Sequence, residues 1–109
     1  MENWVDIADV DSFRVGTCRT VEVGGRQFAL ARVADRFHLV DNTCPHRGTS
    51  LGAGTIDGDF IFCPLHGWAF DLNSGSCLDR PEKSVKTYLV ELRGGKVWAK
   101  LGAFAAKQN

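Results

Sequence analysis

A cysteine and a histidine one residue apart, then a cysteine and a histidine two residues apart, are the feature that most constrains this 109-residue chain. The first pair is Cys44 and His46. The second, Cys63 and His66, follows residues 47–62. Thiolate and imidazole both bind transition metals, so a fold that uses the two pairs together must bring two separate loops to one place. Proline follows each cysteine directly (Pro45, Pro64), and a glycine lies within two residues of each histidine (Gly48, Gly67). Proline stiffens the chain between ligands, and glycine allows a tight turn that carries backbone N–H groups toward sulfur. Paired ligands of one tetrahedral ion usually stand two to four residues apart, which the single spacer in the first pair fits poorly. A two-iron cluster with unlike ligand sets on its two irons fits better. A structural zinc site of the Cys2His2 type is the alternative from the same four residues.

Length predicts one domain, residues 1–109, with a modest core. Thirteen basic and thirteen acidic residues cancel, so the basic stripe of a nucleic-acid binder is missing. No apolar run approaches the roughly 20 residues of a membrane-spanning helix, and residues 1–4 lack the basic and apolar regions of a secretory signal. The expected location is therefore cytoplasmic. In that compartment four cysteines point to metal binding ahead of disulfides.

Turn-forming pairs recur along the chain. Gly24-Gly25 separates residues 18–23 from 26–33, and Asp35-Arg36 separates these from 37–41. Asp57-Gly58 divides 54–56 from 59–62, Asn73-Ser74-Gly75 divides 68–72 from 76–78, and Gly94-Gly95 divides 85–92 from 96–101. Short apolar-alternating runs split by such pairs predict an antiparallel all-β domain of hairpins. Phe28 and Leu30 share one face, as do Tyr88, Val90 and Leu92. One helical turn is expected over residues 9–13 with Asp9 as its N-cap, and a frayed tail over 102–109. Both ligand pairs fall in a hairpin subdomain, residues 42–79, with the flanking strands forming a second layer.

Cys44-Pro45-His46-Arg47-Gly48 and Cys63-Pro64-Leu65-His66-Gly67-Trp68, with Phe70-Asp71-Leu72-Asn73-Ser74-Gly75 behind them, resemble the two boxes of the Rieske [2Fe-2S] family over residues 4–101. The resemblance implies a Rieske-type antiparallel β-sandwich with a small cluster-binding subdomain, and one [2Fe-2S] cluster. It also implies Cys44 and Cys63 on one iron, His46 and His66 on the other, and one-electron transfer as the function. Rieske proteins of respiratory complexes carry an extra disulfide between their ligand loops and hydroxyl donors near sulfur. The matching positions here hold Thr49 and Leu65, then Trp68 and Phe70. Loss of hydrogen-bond donors to sulfur lowers the potential, so a soluble, low-potential type is expected. It is similar to dioxygenase ferredoxins, and to the small subunit of NAD(P)H-dependent nitrite reductase. The implied partners are a flavin-containing reductase as donor, and an oxygenase or a nitrite reductase large subunit as acceptor. Only His38 remains outside the boxes, too few for the 2-His-1-carboxylate iron site of an oxygenase, so no independent catalytic site is expected.

Outside the boxes, Cys18 and Cys77 read as strand residues that behave as small hydrophobes, and His38 as an ordinary strand histidine. Arg47 is either a docking charge or a solvated one. Trp68 shields the metal site, fills core, or both; Trp4 and Trp98 are packing residues.

Overall fold

The computed structural model describes residues 3–46, 48–65 and 67–101. Among the described residues there are nine strands: β1 (Trp4–Asp9), β2 (Thr17–Val23), β3 (Arg26–Val33), β4 (Arg36–Asp41), β5 (Thr55–Asp57), β6 (Phe60–Phe62), β7 (Ala69–Asp71), β8 (Thr87–Arg93) and β9 (Lys96–Lys100). Six of them form one sheet in the order β1-β9-β8-β4-β3-β2, and β5-β6-β7 form a second, smaller sheet. Every pairing is antiparallel, the all-β architecture that the turn spacing predicts.

The diglycines earn their positions through backbone angle. Gly24 and Gly25 have φ of 58° and 83°, and Gly94 and Gly95 have 58° and 79°. Val23 pairs with Arg26 and Arg93 with Lys96, so each diglycine is a complete two-residue hairpin loop. Such loops need positive φ at both residues when they match the strand twist.

Strand β3 explains how the two layers meet. Its residues 28–31 are buried on both faces. Phe28 and Leu30 enter a core with Phe13, Phe37, Leu39, Val97, Ala99 and Leu101. Ala29 and Ala31 point the other way, into a core with Val40, Cys44, Leu51, Ile61, Cys63 and Phe70. The bulky face builds the core of the six-stranded sheet. The alanine face leaves room for the small sheet and its two cysteines to pack close against β3.

Several expectations shift. Strand β1 has no turn signal before it and a half-buried pattern, and the sequence reading did not separate it from its flank. The turn expected at Asp57-Gly58 sits one residue later: Asp57 pairs with Phe60 and the loop is Gly58-Asp59. The β3–β4 turn falls at Ala34-Asp35, one residue earlier than expected, with Ala34 at φ 55°. A single 3-10 turn over Val10–Ser12 follows Asp9, but the Asp9 side chain caps nothing there. Its carboxylate is drawn to the Lys96 ammonium at 2.8 Å. Cys77 lies outside the strands, bridged to Phe70. The tail 102–109 lies outside the described residues.

Candidate metal centre

The two cysteine loops have the same construction. Before the first, Thr43 bridges to Ser50; before the second, Phe62 pairs with Ala69. Inside them, the Cys44 N–H donates to the Thr49 carbonyl and the Cys63 N–H to the Trp68 carbonyl, both at 2.8 Å. The Gly48 N–H returns to the Cys44 carbonyl at 2.8 Å, and the Gly67 N–H to the Cys63 carbonyl at 2.9 Å. Gly48 and Gly67 have φ of 75° and 73°, a conformation in which an L side chain is strained. A Cβ at either would meet nothing within 4 Å, so backbone angle alone selects glycine there. Each loop is thus six residues closed by an antiparallel pair at its ends, with a cysteine at its first position. The differing Cys-to-His spacing is a difference of position inside loops of equal length.

Both thiols are buried, Cys44 at 0% and Cys63 at 2% exposure, and both are free of disulfides. The tip of the second loop is open: Pro64 and Gly67 are exposed and Leu65 is 47% exposed. His46 is half-buried, and its imidazole lies flat on the Trp68 indole, centroids 4.1 Å apart and planes 12° from parallel. That contact joins the first loop to the second. The Arg80 guanidinium carbon lies 5.9 Å from the same indole.

Each loop is also clamped from outside, in different ways. Asn42 is the buried polar residue beneath the first. Its Oδ1 accepts from the Gly52 N–H at 2.8 Å and from the Thr20 hydroxyl at 3.0 Å, and its Nδ2 donates to the Ser50 hydroxyl at 2.9 Å. The Leu51 N–H donates to the Asn42 carbonyl at 2.7 Å. These bonds fix the 3-10 turn Leu51–Ala53 against β2, where a Cβ at Gly52 would collide with the Thr20 backbone nitrogen and hydroxyl. Beneath the second loop, the Ala69 N–H donates to the carboxylate of exposed Asp79 at 2.9 Å.

Of the predicted ligands, Cys44, His46 and Cys63 lie on these two loops and His66 lies outside the described residues, as does Arg47, the docking or solvated charge. Cys77 is a core side chain. Cys18 turns its thiol toward the Gly54 carbonyl at 3.5 Å, and burial pushes its pKa up, which disfavours the reactive thiolate. His38 is half-buried, with Nε2 lacking a hydrogen-bond partner among the described residues. Burial first, then the Arg36 charge, hold its pKa below the ordinary value, against the smaller opposing pull of Asp59 and Asp71. The sequence reading missed Asn42 and Asp79. Neither stands in a ligand motif, and the partners Gly52, Ser50 and Ala69 sit eight to ten residues away.

The donor set fits a cluster of the thiolate–imidazole kind: two buried cysteines in no disulfide at the bases of matching loops, with an imidazole from one loop held against the other. Residues 3–89 match the family model described as the Rieske [2Fe-2S] domain. The chain is 35% identical over 101 residues to the ferredoxin component of the naphthalene 1,2-dioxygenase/salicylate 5-hydroxylase systems of a Ralstonia species, covering 92% of this chain and 97% of that one. Among solved structures it resembles a chain from the complex of reduced oxygenase and oxidised ferredoxin in carbazole 1,9a-dioxygenase, with TM-score 0.81, 34% identity, and 92% and 94% of the two chains covered. It also resembles a chain named as the small subunit of an NADH-dependent nitrite reductase from Mycobacterium tuberculosis, with TM-score 0.80, 31% identity, and 88% and 92% covered.

Proposed function

The chain belongs to the Rieske [2Fe-2S] domain family, and from that premise we propose that it is the ferredoxin of an oxygenase system, loaded by a flavin-containing reductase and discharged to a terminal oxygenase. It is a Rieske-type electron carrier with one [2Fe-2S] cluster, which sets the zinc reading aside. In our reading Cys44 and Cys63 hold one iron, His46 and His66 hold the other, residues 42–79 form the cluster-binding subdomain, and the protein works in the cytoplasm. Among the described residues no helix is long and apolar enough to cross a membrane. The observation that carries the partner assignment is coverage: the chain spans 97% of a ferredoxin component that serves an oxygenase system.

When bound, the cluster supplies one-electron chemistry, with potentials of about −150 to +300 mV across Rieske centres. The protein supplies the rest. Burial of Cys44 and Cys63 keeps water from the thiolate side. Pro64, Leu65 and Gly67 expose the opposite tip, where a partner can approach through the small interface that suits transient electron transfer. Phe70 is fully buried and has no hydroxyl to donate, which supports a potential in the lower part of that range.

Reconstitution tests the reading. Iron and acid-labile sulfide should be found in equal amounts, and the protein should restore electron flow from a flavin reductase to an aromatic-ring oxygenase. His46→Ala and His66→Ala should each abolish the Rieske spectrum; its survival in either would remove that histidine from the ligand set. The similarity to a nitrite reductase small subunit supports a second reading. Tight co-purification with a nitrite reductase large subunit, and no transfer to oxygenases, would favour it.

A further inference from the structure

We propose that Trp68 is a positioning residue for His46: the second loop sets the orientation of the first loop's imidazole through a flat aromatic contact. This rests on the reading of His46 as an iron ligand. The geometry has three parts. The two rings are stacked at 4.1 Å with only 12° between planes, so the indole face restricts rotation of the imidazole about its side-chain bonds. Trp68 is itself held from below: its carbonyl accepts from the Cys63 N–H at 2.8 Å, and its neighbour Ala69 is fixed by Asp79 at 2.9 Å. The Arg80 guanidinium, 5.9 Å from the indole, occupies the same neighbourhood. Ordering an imidazole on a loop when it binds metal costs side-chain entropy. The indole removes part of that loss beforehand.

The contact also has an electrostatic sense. An indole face is the negative part of the ring quadrupole and favours positive charge beside it. An imidazole bound to iron is more positive when the centre is oxidised. The stack therefore favours the oxidised form and draws the potential down, in the same direction as the missing hydroxyl donors.

Three variants separate positioning from space-filling. Trp68→Phe keeps an aromatic face, Trp68→Leu keeps apolar bulk without one, and Trp68→Ala keeps neither. The readouts are the g-tensor of the reduced protein by electron paramagnetic resonance, the rate of cluster loss to a chelator, and the midpoint potential. We expect Phe to retain the wild-type g-tensor and loss rate. Leu and Ala should shift the g-tensor, raise the potential and lose the cluster about fivefold faster, equivalent to about 1 kcal/mol for an aromatic pair. A Leu variant with the wild-type g-tensor and loss rate overturns the proposal, and so does a Phe variant that behaves like Leu. If Ala fails to fold, judged by far-ultraviolet circular dichroism, the Phe and Leu pair still decides. His46→Ala is measured in parallel. Its retention of a Rieske spectrum would defeat the ligand reading, whereas an unchanged Leu variant defeats only the role of Trp68.

Discussion

The two ligand loops have the same length and the same internal hydrogen bonds, yet they are anchored by opposite means. The first loop stands on a buried amide: Asn42 ties it to Gly52, Ser50 and Thr20. The second stands on an exposed carboxylate, Asp79, beside exposed Leu78 and Arg80. A buried amide whose hydrogen bonds are satisfied resists displacement, because leaving it unpaired is costly. A solvated carboxylate can be replaced by water at small cost. The rigid loop therefore lies toward the core, and the loop with the softer support carries the open tip, Pro64 and Leu65. This asymmetry suits a carrier that must hold its cofactor firmly on one side and meet partners on the other.

Asn42→Ala puts the largest strain on that contrast. It orphans the buried Gly52 N–H and removes one partner each from the part-buried Thr20 and Ser50 hydroxyls, which keep their mutual contact at 2.9 Å. An orphaned buried N–H costs about 1–3 kcal/mol, and each lost hydroxyl bond about 1 kcal/mol. A net loss of about 3 kcal/mol is expected, which lowers Tm on the order of 10–20 °C for a domain this size. Thermal unfolding followed by circular dichroism measures it. A change of only a degree or two would mean the buried amide is not the anchor.

The internal likeness of the loops is tested by Gly48→Ala and Gly67→Ala. Both glycines have φ near the same positive value, 75° and 73°, and both have open space where a Cβ would go. Each substitution should cost roughly 1–2 kcal/mol through backbone strain alone. The informative result is their equality in denaturant melts. Costs that differ by more than twofold would show that the loops share hydrogen bonds but not mechanics.

These features were unevenly legible in the sequence, for a physical reason. Hairpin turns could be read because Gly24-Gly25 and Gly94-Gly95 answer to a backbone angle set within two residues. The cysteines and histidines could be read because ligand spacing is local. Strand β1 could not: it pairs with β9, some ninety residues away, and its burial pattern shows no clean alternation. The Asp9 side chain was misread for a similar reason, since a lysine 87 residues away outbids the local cap. Asn42, Asp79 and the stack of Trp68 on His46 were equally hidden. Each depends on loop closure placing residues from different segments side by side, and nothing in the local sequence encodes that placement.

The first loop's support extends one residue upstream, and there pH becomes the probe. The Tyr88 hydroxyl donates to Asp41 at 2.7 Å and accepts from Arg26 at 2.8 Å, and Asp41 also pairs its backbone N–H with the Lys86 carbonyl at 3.0 Å. Burial first, then the Asp41 carboxylate, push the phenol up to about 12. The folded protein therefore holds this proton more tightly than an unfolded chain, whose tyrosine titrates near about 10. The stabilisation is whole below about pH 10 and is lost as pH rises toward 12. Tyr88 is the chain's single tyrosine, so an ultraviolet titration reports it alone. A midpoint near 10 would contradict the network. Tyr88→Phe should cost about 1 kcal/mol at neutral pH and remove this alkaline limb from the stability profile.

Asp79→Ala should have the smallest effect, and it bears most directly on the contrast between the loops. The carboxylate is exposed, and the Ala69 N–H it accepts from lies at the end of the second loop. Water can take over the acceptor role, so the expected loss is about 0.5 kcal/mol, within the range for solvated charged contacts. Asp79→Asn keeps an acceptor oxygen and should recover most of it. The rate of cluster loss is the sharper measure, because the second loop can loosen without the domain unfolding. Asp79→Ala should speed that loss modestly while Tm hardly moves, whereas Asn42→Ala should change both together. If Asp79→Ala lowered Tm as far as Asn42→Ala, the two anchors would be equivalent, and the division into a rigid inner loop and a softer outer one would fall.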